Sequence, residues 1–310
     1  MKILVLGGHG FVGRNFVKSM KYTSHKVIPL SRRDGLDLTD YNLTKKFFKE
    51  IKPDVIINLA AVVGSLNFVT EKAAEVVDLN MRILLNVYRG IVETNKNCVL
   101  ISPIANCGFP GDISLYREED FWSGKVHNSV LAYGSTRRMI DVLAKCYQMQ
   151  YNLKTINFFV PNMYGPFEST DPNKAHALDA LISKFLKAKL ENHSNVEVWG
   201  TGKAIREWLF VKDFAKILKL TIKNINKIKI TESVNIGQKY GLSIRELVDI
   251  IVRKIDYQGK IVWATEMPDG APIKVMDDKK FKKYFPRFSF TPLEQGIEET
   301  INYYKSVYPY

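Results

Sequence analysis

The chain has 310 residues, 46% of them apolar and 25% charged, which suffices for one large domain or two unequal lobes around a buried core. This balance excludes a disordered chain, and no apolar run approaches the ~20 residues that a bilayer span needs, so no membrane partner is expected. The net charge of +13 raises the question of nucleic acid, but the lysines are spread along the chain and no nucleic-acid motif accompanies them; a solvated basic surface is expected instead.

Lys2 to Leu6 is an apolar run of strand length, too short for a signal peptide, and reads as a strand buried on both faces. The glycine loop Gly7-Gly8-His9-Gly10-Phe11-Val12-Gly13 follows, then a helix over Arg14 to Met20. Glycines between a strand and a helix let the backbone turn tightly and approach a pyrophosphate, which the helix N-terminus then favours. Lys26 to Leu30 is a second strand, and Ser31-Arg32-Arg33 comes at its end. An NAD-preferring site carries an acidic residue there to hold the ribose 2′-hydroxyl; arginine forks match a 2′-phosphate, so the expected cofactor is NADPH. Asp37 and Leu38 are expected near the adenine, and Leu59, Ala60 and Ala61 under the cofactor.

A helix over Leu43 to Ile51, a strand over Val55 to Leu59, a long helix over Ala73 to Thr94 and a strand over Cys98 to Ser102 continue the alternation. That pattern predicts an α/β fold with a Rossmann-type, doubly wound parallel sheet. A helix over Tyr133 to Tyr151 and a strand over Lys154 to Phe159 extend it. Beyond these come helices over His176 to Leu190, Val211 to Asn224 and Ile244 to Ile255, short strands at Val196 to Trp199 and Ser233 to Gly237, and a helix from Ile297. No linker divides the chain. The expected organisation is an NADP(H)-binding domain over residues 1–165, to which later segments return, and a smaller, mainly substrate-binding lobe over 166–310. Three cysteines, Cys98, Cys107 and Cys146, make no disulfide framework, and a cytoplasmic location is the expectation.

The motifs together resemble the extended short-chain dehydrogenases/reductases over nearly the whole chain, and within them the GDP-L-fucose synthase group. The resemblance rests on Gly7 to Gly13, Asn58 to Gly64, Asn80-Met81, Asn106 to Pro110, Pro161 to Pro166, Val198 to Glu207 and Pro272 to Asp277. It implies a GDP-linked 4-keto-6-deoxy sugar, hexose or heptose, reduced at C4 with NADPH, with 3,5-epimerisation as a second activity, in a homodimer built on the helix from Ala73 and the helix after Tyr133.

The resemblance makes Tyr133 the proton donor of a Tyr-x-x-x-Lys pair, but the partner here is Arg137. A cation four residues on along a helix shares the tyrosine's face and lowers its pKa. The rival account is a surface arginine beside an aromatic core residue. Where the family has a Ser or Thr hydroxyl against the carbonyl, this chain has Asn106; Ser102, at the end of its strand, is the alternative. Cys107 as base, a thiolate in a positive field, and His176 as acid are implied for epimerisation. Asn80, Pro161, Asn162 and Met163 are further expected cofactor contacts. Asn162, His176, Lys184, Trp199, Arg206 and Lys274 are the expected substrate contacts. No metal is expected. Two other readings stay open: an epimerase or dehydratase that retains NAD, and a non-catalytic nucleotide-sugar or NADP-binding protein, for which Arg137 and Asn106 speak.

Overall fold

The computed structural model describes residues 1–171, 174–226, 232–267 and 269–310. Ten helices are present among them: α1 Phe11–Ser19, α2 Tyr41–Ile51, α3 Leu66–Glu71, α4 Ala73–Thr94, α5 Leu131–Tyr151, α6 Ala177–Leu190, α7 Val211–Lys223, α8 Ile244–Ile255, α9 Lys279–Tyr284 and α10 Leu293–Val307. The first seven strands are β1 Lys2–Leu6, β2 Lys26–Leu30, β3 Val55–Asn58, β4 Val99–Ala105, β5 Leu115–Tyr116, β6 Thr155–Val160 and β7 Asn162–Tyr164. The remainder are β8 Asn195–Trp199, β9 Ile205–Arg206, β10 Trp208–Phe210, β11 Val234–Asn235, β12 Leu242–Ser243, β13 Lys260–Ala264 and β14 Ile273–Met276.

The main sheet has six strands in the order β11-β6-β4-β3-β1-β2, and every pairing in it is parallel. This is the doubly wound α/β arrangement expected from the alternation. The strand period of two sends neighbouring residues to opposite faces. Leu4, Leu6, Ile56 and Leu100 pack with Phe48 of α2, Leu84, Val87 and Tyr88 of α4 and Ile140 of α5. Ile3, Val5, Ile57 and Ile101 pack on the other face with Phe16 of α1, Phe214 and Leu218 of α7 and Phe281 of α9. From β1 the chain turns outward to β2, then crosses back to β3. The crevice at the ends of β1 and β3 is therefore the topological switch point, where open parallel sheets bind their ligands.

A third apolar cluster joins Tyr164 and Trp208 to Ile182, Phe185 and Leu186 of α6, Leu247 and Ile251 of α8 and Ile297, Ile301 and Tyr304 of α10. Small sheets β12-β9-β14-β5, β10-β7 and β13-β8 lie beside it. β5 and β14 pair in parallel, which ties the segment Leu115–Tyr116 to residues 160 positions away in the chain.

Several boundaries differ from the sequence expectation. α1 begins at Phe11 rather than Arg14, because Gly10 is already extended at φ −80°, ψ −179° and the first helical turn starts inside the glycine loop. β4 runs on to Ala105, pairing with β6 as far as Val160, so Ser102 is buried inside the strand and not at its end. α10 begins four residues early, directly after Pro292. β7, β9, β10 and β12 to β14 are short pairs that no run of alternating residues announces.

Candidate functional site

The glycine loop is built by close approach. Gly7 has φ +75°, in the left-handed region, and a Cβ there would meet the Ala60 nitrogen at 3.0 Å. At Gly13 a Cβ would meet the Gly7 carbonyl oxygen at 2.4 Å, so α1 presses on the loop only because that position has no side chain. α1 has no acidic residue in its first turn and no side-chain cap, which leaves its N–H groups and positive dipole end for an anion. The residues fit a dinucleotide pyrophosphate on these grounds.

A cleft of about 410 Å³ opens beside the loop. Gly7, Gly10, Arg32, Arg33, Asp37, Leu38, Leu59, Ala60 and Ala61 line it, as do His9, Thr39, Val62, Leu79 and Ile83, which the sequence did not single out. Arg32 and Arg33 form a single helical turn after β2, and neither guanidinium takes part in a hydrogen bond or ion pair among the described residues. Asp34, the first acidic residue after β2, is turned away into its own loop. Its carboxylate accepts from the Ser31 backbone N–H at 2.8 Å and pairs with His9 at 3.1 Å. Asp37 is likewise engaged, accepting from the Thr39 N–H and hydroxyl at 2.9 and 2.7 Å, bonds that hold its carboxyl below the usual range. Val12 and Met163 pack against the core on the α1 side of the sheet. Pro161 is buried beside Asn162, which is half-buried and in register with Trp208 across the β7–β10 pair.

A second group gathers where β4 ends. Asn106 opens the turn Asn106–Gly108, directly after β4, and this turn packs on α5: a Cβ at Gly134 would meet the Cys107 carbonyl oxygen at 2.6 Å. Asn106 is 4% exposed, and its side-chain Nδ2 has no partner. Buried amide donors are nearly always satisfied, so one left over points to a missing acceptor. Ser102, the alternative, also has a buried hydroxyl without a partner, but it lies four residues before Asn106, inside β4.

Arg137 is 5% exposed, so it is not the surface arginine of the rival account. Its guanidinium lies 4.8 Å from the centre of the Tyr133 ring. One Nη donates to Asn80 Oδ1 at 2.8 Å, and Nε has no partner. Asn80 is fully buried and also ties the Val62 N–H and carbonyl at 3.1 and 2.8 Å. The cation is thereby fixed between α5 and the segment that follows β3. Tyr133 is half-buried, and burial pushes its phenol up, partly offset by Arg137.

Burial also pushes the Cys107 thiol up, against the pull of Lys274 and Arg137. The positive field expected around Cys107 is present, but the thiolate is not the resting form: desolvation outweighs the two cations. Lys274 and Arg206 are in register across the parallel β14–β9 pair. Burial lowers the pKa of both. Arg206 is half spent on carbonyls, donating to Ile205 at 2.8 Å and Asp269 at 2.9 Å. The Lys274 ammonium makes no hydrogen bond or ion pair among the described residues. Two adjacent, partly desolvated cations without a carboxylate partner form a receptor for an anion.

Asn106, Cys107, Tyr133, Arg137, Lys274 and Arg206 are thus brought into one electrostatic group. The other expected substrate contacts have partners of their own. Lys184 is exposed and donates to the Glu197 carbonyl at 2.5 Å, and Trp199, 53% exposed, donates to the Glu197 carboxylate at 3.2 Å. Both are thereby tied to Glu197, in the middle of β8. His176 is the N-cap residue of α6, with its ring 6.2 Å from that of Phe11. It is hydrogen-bonded to Glu168, a residue that sequence reasoning missed. Tyr116 and Glu207 were missed too. Tyr116 is buried beside Arg206 and Cys107. Glu207 is fully buried and accepts from the Met276 N–H at 2.7 Å, which locks β9 and β14 in place. Among the described residues no group of three or more His, Cys, Asp or Glu side chains is placed to hold a metal ion. Among the described residues no helix is long and apolar enough to cross a membrane.

The model of the NAD dependent epimerase/dehydratase family matches residues 3–237. The chain is similar to a GDP-L-fucose synthase of Dictyostelium discoideum, 30% identical over 97% of this chain and 94% of that protein. It is also similar to a GDP-L-colitose synthase of Yersinia pseudotuberculosis, 27% identical over 98% of each. A crystal structure of a GDP-L-fucose synthetase from Naegleria fowleri bound to NADP superposes with a TM-score of 0.89, at 26% identity, over 99% of this chain and 94% of that one.

Proposed function

The chain belongs to the NAD dependent epimerase/dehydratase family, and from that premise we propose that it is an NADPH-dependent C4 reductase of a GDP-linked 4-keto-6-deoxy sugar that also epimerises C3 and C5. Relatives named GDP-L-fucose synthase and GDP-L-colitose synthase, aligned over almost their whole length, support the substrate class. The single observation that carries the reading is the group at the end of β4. There a tyrosine with an unpartnered hydroxyl lies against a buried cation, beside an orphaned amide and a pair of cations without a carboxylate.

NADPH, when bound, supplies a hydride. The chain's own residues do the rest. The glycine loop and α1 hold the pyrophosphate; Arg32 and Arg33 hold the 2′-phosphate. Tyr133 gives its phenolic proton to the sugar C4 oxygen. The fixed Arg137 cation stabilises the phenolate left behind, and it does so as a permanent charge, because a guanidinium does not pass a proton on at neutral pH. The Asn106 amide donates to the same oxygen as charge develops there. Lys274 and Arg206 receive the diphosphate.

For epimerisation, Cys107 removes the proton at C3 or C5, and His176 returns one from the opposite face. The thiol is neutral at rest, so it must lose its proton before it acts; with the diphosphate on Lys274, Arg137 is the cation left to favour that loss. Without NADPH, the protein is expected to exchange deuterium from solvent into C3 and C5. Cys107→Ala is expected to slow that exchange by on the order of 10²-fold or more while leaving reduction of a pre-epimerised sugar intact. Unchanged exchange in that variant, followed by mass spectrometry, removes Cys107 as the base.

The proposed assembly is a homodimer through α4 and α5. These helices pack side by side and leave Val77, Leu85, Leu131 and Met149 exposed, between 38 and 79%. Sedimentation as a monomer at micromolar concentration contradicts that assembly. The proposed compartment is the cytoplasm, where the three free thiols stay reduced.

A further inference from the structure

His176 is held from one side by a segment that is itself unusually constrained. Phe167 has φ +75°, a left-handed conformation that a bulky side chain rarely adopts. Such a residue persists only where its surroundings fix it, and such residues cluster at functional sites. Here four contacts do the fixing. The Arg14 guanidinium lies 4.1 Å over the Phe167 ring, and Tyr303 meets the same ring edge-on at 5.1 Å. Asn15 of α1 donates to the Pro166 carbonyl at 2.7 Å, and the Gly165 N–H donates to Asp179 of α6 at 3.1 Å. The product of this arrangement is the position of the next residue, Glu168. Its side chain is buried, with one carboxylate oxygen accepting from the Ser169 N–H at 2.7 Å and the other accepting from His176 Nδ1.

We propose that Glu168 is the positioning residue for His176: by accepting from Nδ1–H it leaves Nε2 as the nitrogen that delivers the proton to the sugar carbon. This rests on the reading of His176 as the acid of epimerisation. The transfer balances simply. The Nε2–H bond breaks, a C–H bond forms at the carbanionic carbon, and the imidazole is left neutral with Nδ1–H still on Glu168. Solvent restores the Nε2 proton, since the His176 side chain is 38% exposed.

The electrostatics agree. Burial works against charge on His176, but the hydrogen bond and charge of Glu168 outweigh it and lift the imidazole above its ordinary value. Behind Glu168 lies Asp179, fully buried, with Oδ2 unpartnered. Burial, and then the charge of Glu168, raise the Asp179 carboxyl well above the usual range. Asp179 thus resists ionisation more than an ordinary carboxyl, and Glu168 is the carboxyl hydrogen-bonded to the imidazole. Arg14 of α1 stands across the Phe167 ring from this pair.

The test is histidine-selective ¹⁵N NMR over a pH titration of the whole protein, without substrate or cofactor. Five histidines are present, and His176→Gln identifies the relevant signals. In the unmutated protein His176 is expected to titrate above about 6.5, the ordinary imidazole value, and its neutral form to carry the proton on Nδ1. Glu168→Gln keeps an acceptor but removes the charge, so the titration is expected to fall by about one unit or more with the tautomer kept. Glu168→Ala is expected to lose the tautomer preference as well. A neutral Nε2–H tautomer in the unmutated protein overturns the proposal without any variant. So does a Glu168→Gln midpoint within about 0.2 units of the unmutated one, a small fraction of the shift a removed neighbouring charge should give. Failure of the acid reading is separate: it is seen as full isotope exchange at C3 and C5 in His176→Gln, whatever the NMR shows.

Discussion

Replacing Tyr133 by phenylalanine is expected to lower reduction of the 4-keto sugar by about 10³-fold, within the range a positioned general acid contributes. NADPH affinity is expected to stay within about two-fold, since the ring and its contact with Arg137 survive and only the hydroxyl is lost. That hydroxyl makes no hydrogen bond among the described residues, so its removal strands no partner. The pH profile carries a second sign. A proton donor works only while protonated, and burial pushes the Tyr133 phenol up against the pull of Arg137. Reduction should therefore hold through neutral pH and fall only as the medium passes the raised phenol value on the alkaline side. Arg137→Met removes the opposing pull, so its alkaline fall should move to still higher pH, with a lower rate on the plateau. Steady-state rates from pH 6 to 11, on the order of one unit per step around the ordinary phenol value near 10, separate these outcomes. A Tyr133→Phe enzyme turning over at the original rate removes the proton-donor assignment.

The joint change Arg32→Ala and Arg33→Ala is expected to weaken NADPH by on the order of 10²-fold, as losing two charge-assisted contacts of about 1.5 kcal/mol each would do. NADH, which lacks the 2′-phosphate, should bind as before. The asymmetry is what matters. Both guanidinia line the cleft and have no hydrogen-bond or ion-pair partner among the described residues, whereas the nearby Asp34 is occupied by Ser31 and His9. A general disturbance of the loop would weaken both cofactors alike; loss of a 2′-phosphate site weakens one. Fluorescence titration of each nicotinamide cofactor against the variant reads the difference. Equal loss for both means that the arginines are scaffolding.

These outcomes also measure what the linear chain could reveal. The main sheet was legible because β1, β3 and β4 are apolar runs between helical periods, and because Gly7 to Gly13 stands at the one strand-to-helix turn where glycines are needed. α4 was read to its ends, since Ala73 to Thr94 keeps a helical stripe from Val76 to Ile91. The short pairs β5–β14 and β9–β14 were not legible: two to four residues carry no period, and their partners come from distant segments. The burial of Arg137 was not legible either. Nothing local to α5 says that Asn80, 57 residues earlier, reaches across to it. The motif positions Cys107 and Asn106 were readable, but their ionisation and orphaned donors depend on burial, which the one-dimensional pattern does not carry. Glu168 was missed for a similar reason: an acidic residue in a Pro-Phe-Glu-Ser loop looks like a solvated turn until Phe167 is seen locked in a left-handed backbone.

The most direct measurement mixes the protein with NADPH and a panel of GDP-linked 4-keto-6-deoxy hexoses and heptoses and follows loss of the reduced nicotinamide absorbance. Stoichiometric oxidation of NADPH, with a C4 alcohol formed on at least one GDP-sugar and none formed by Tyr133→Phe, is the predicted result. No oxidation over the whole panel, by protein that binds NADPH, contradicts the assignment of this chain as a GDP-sugar reductase.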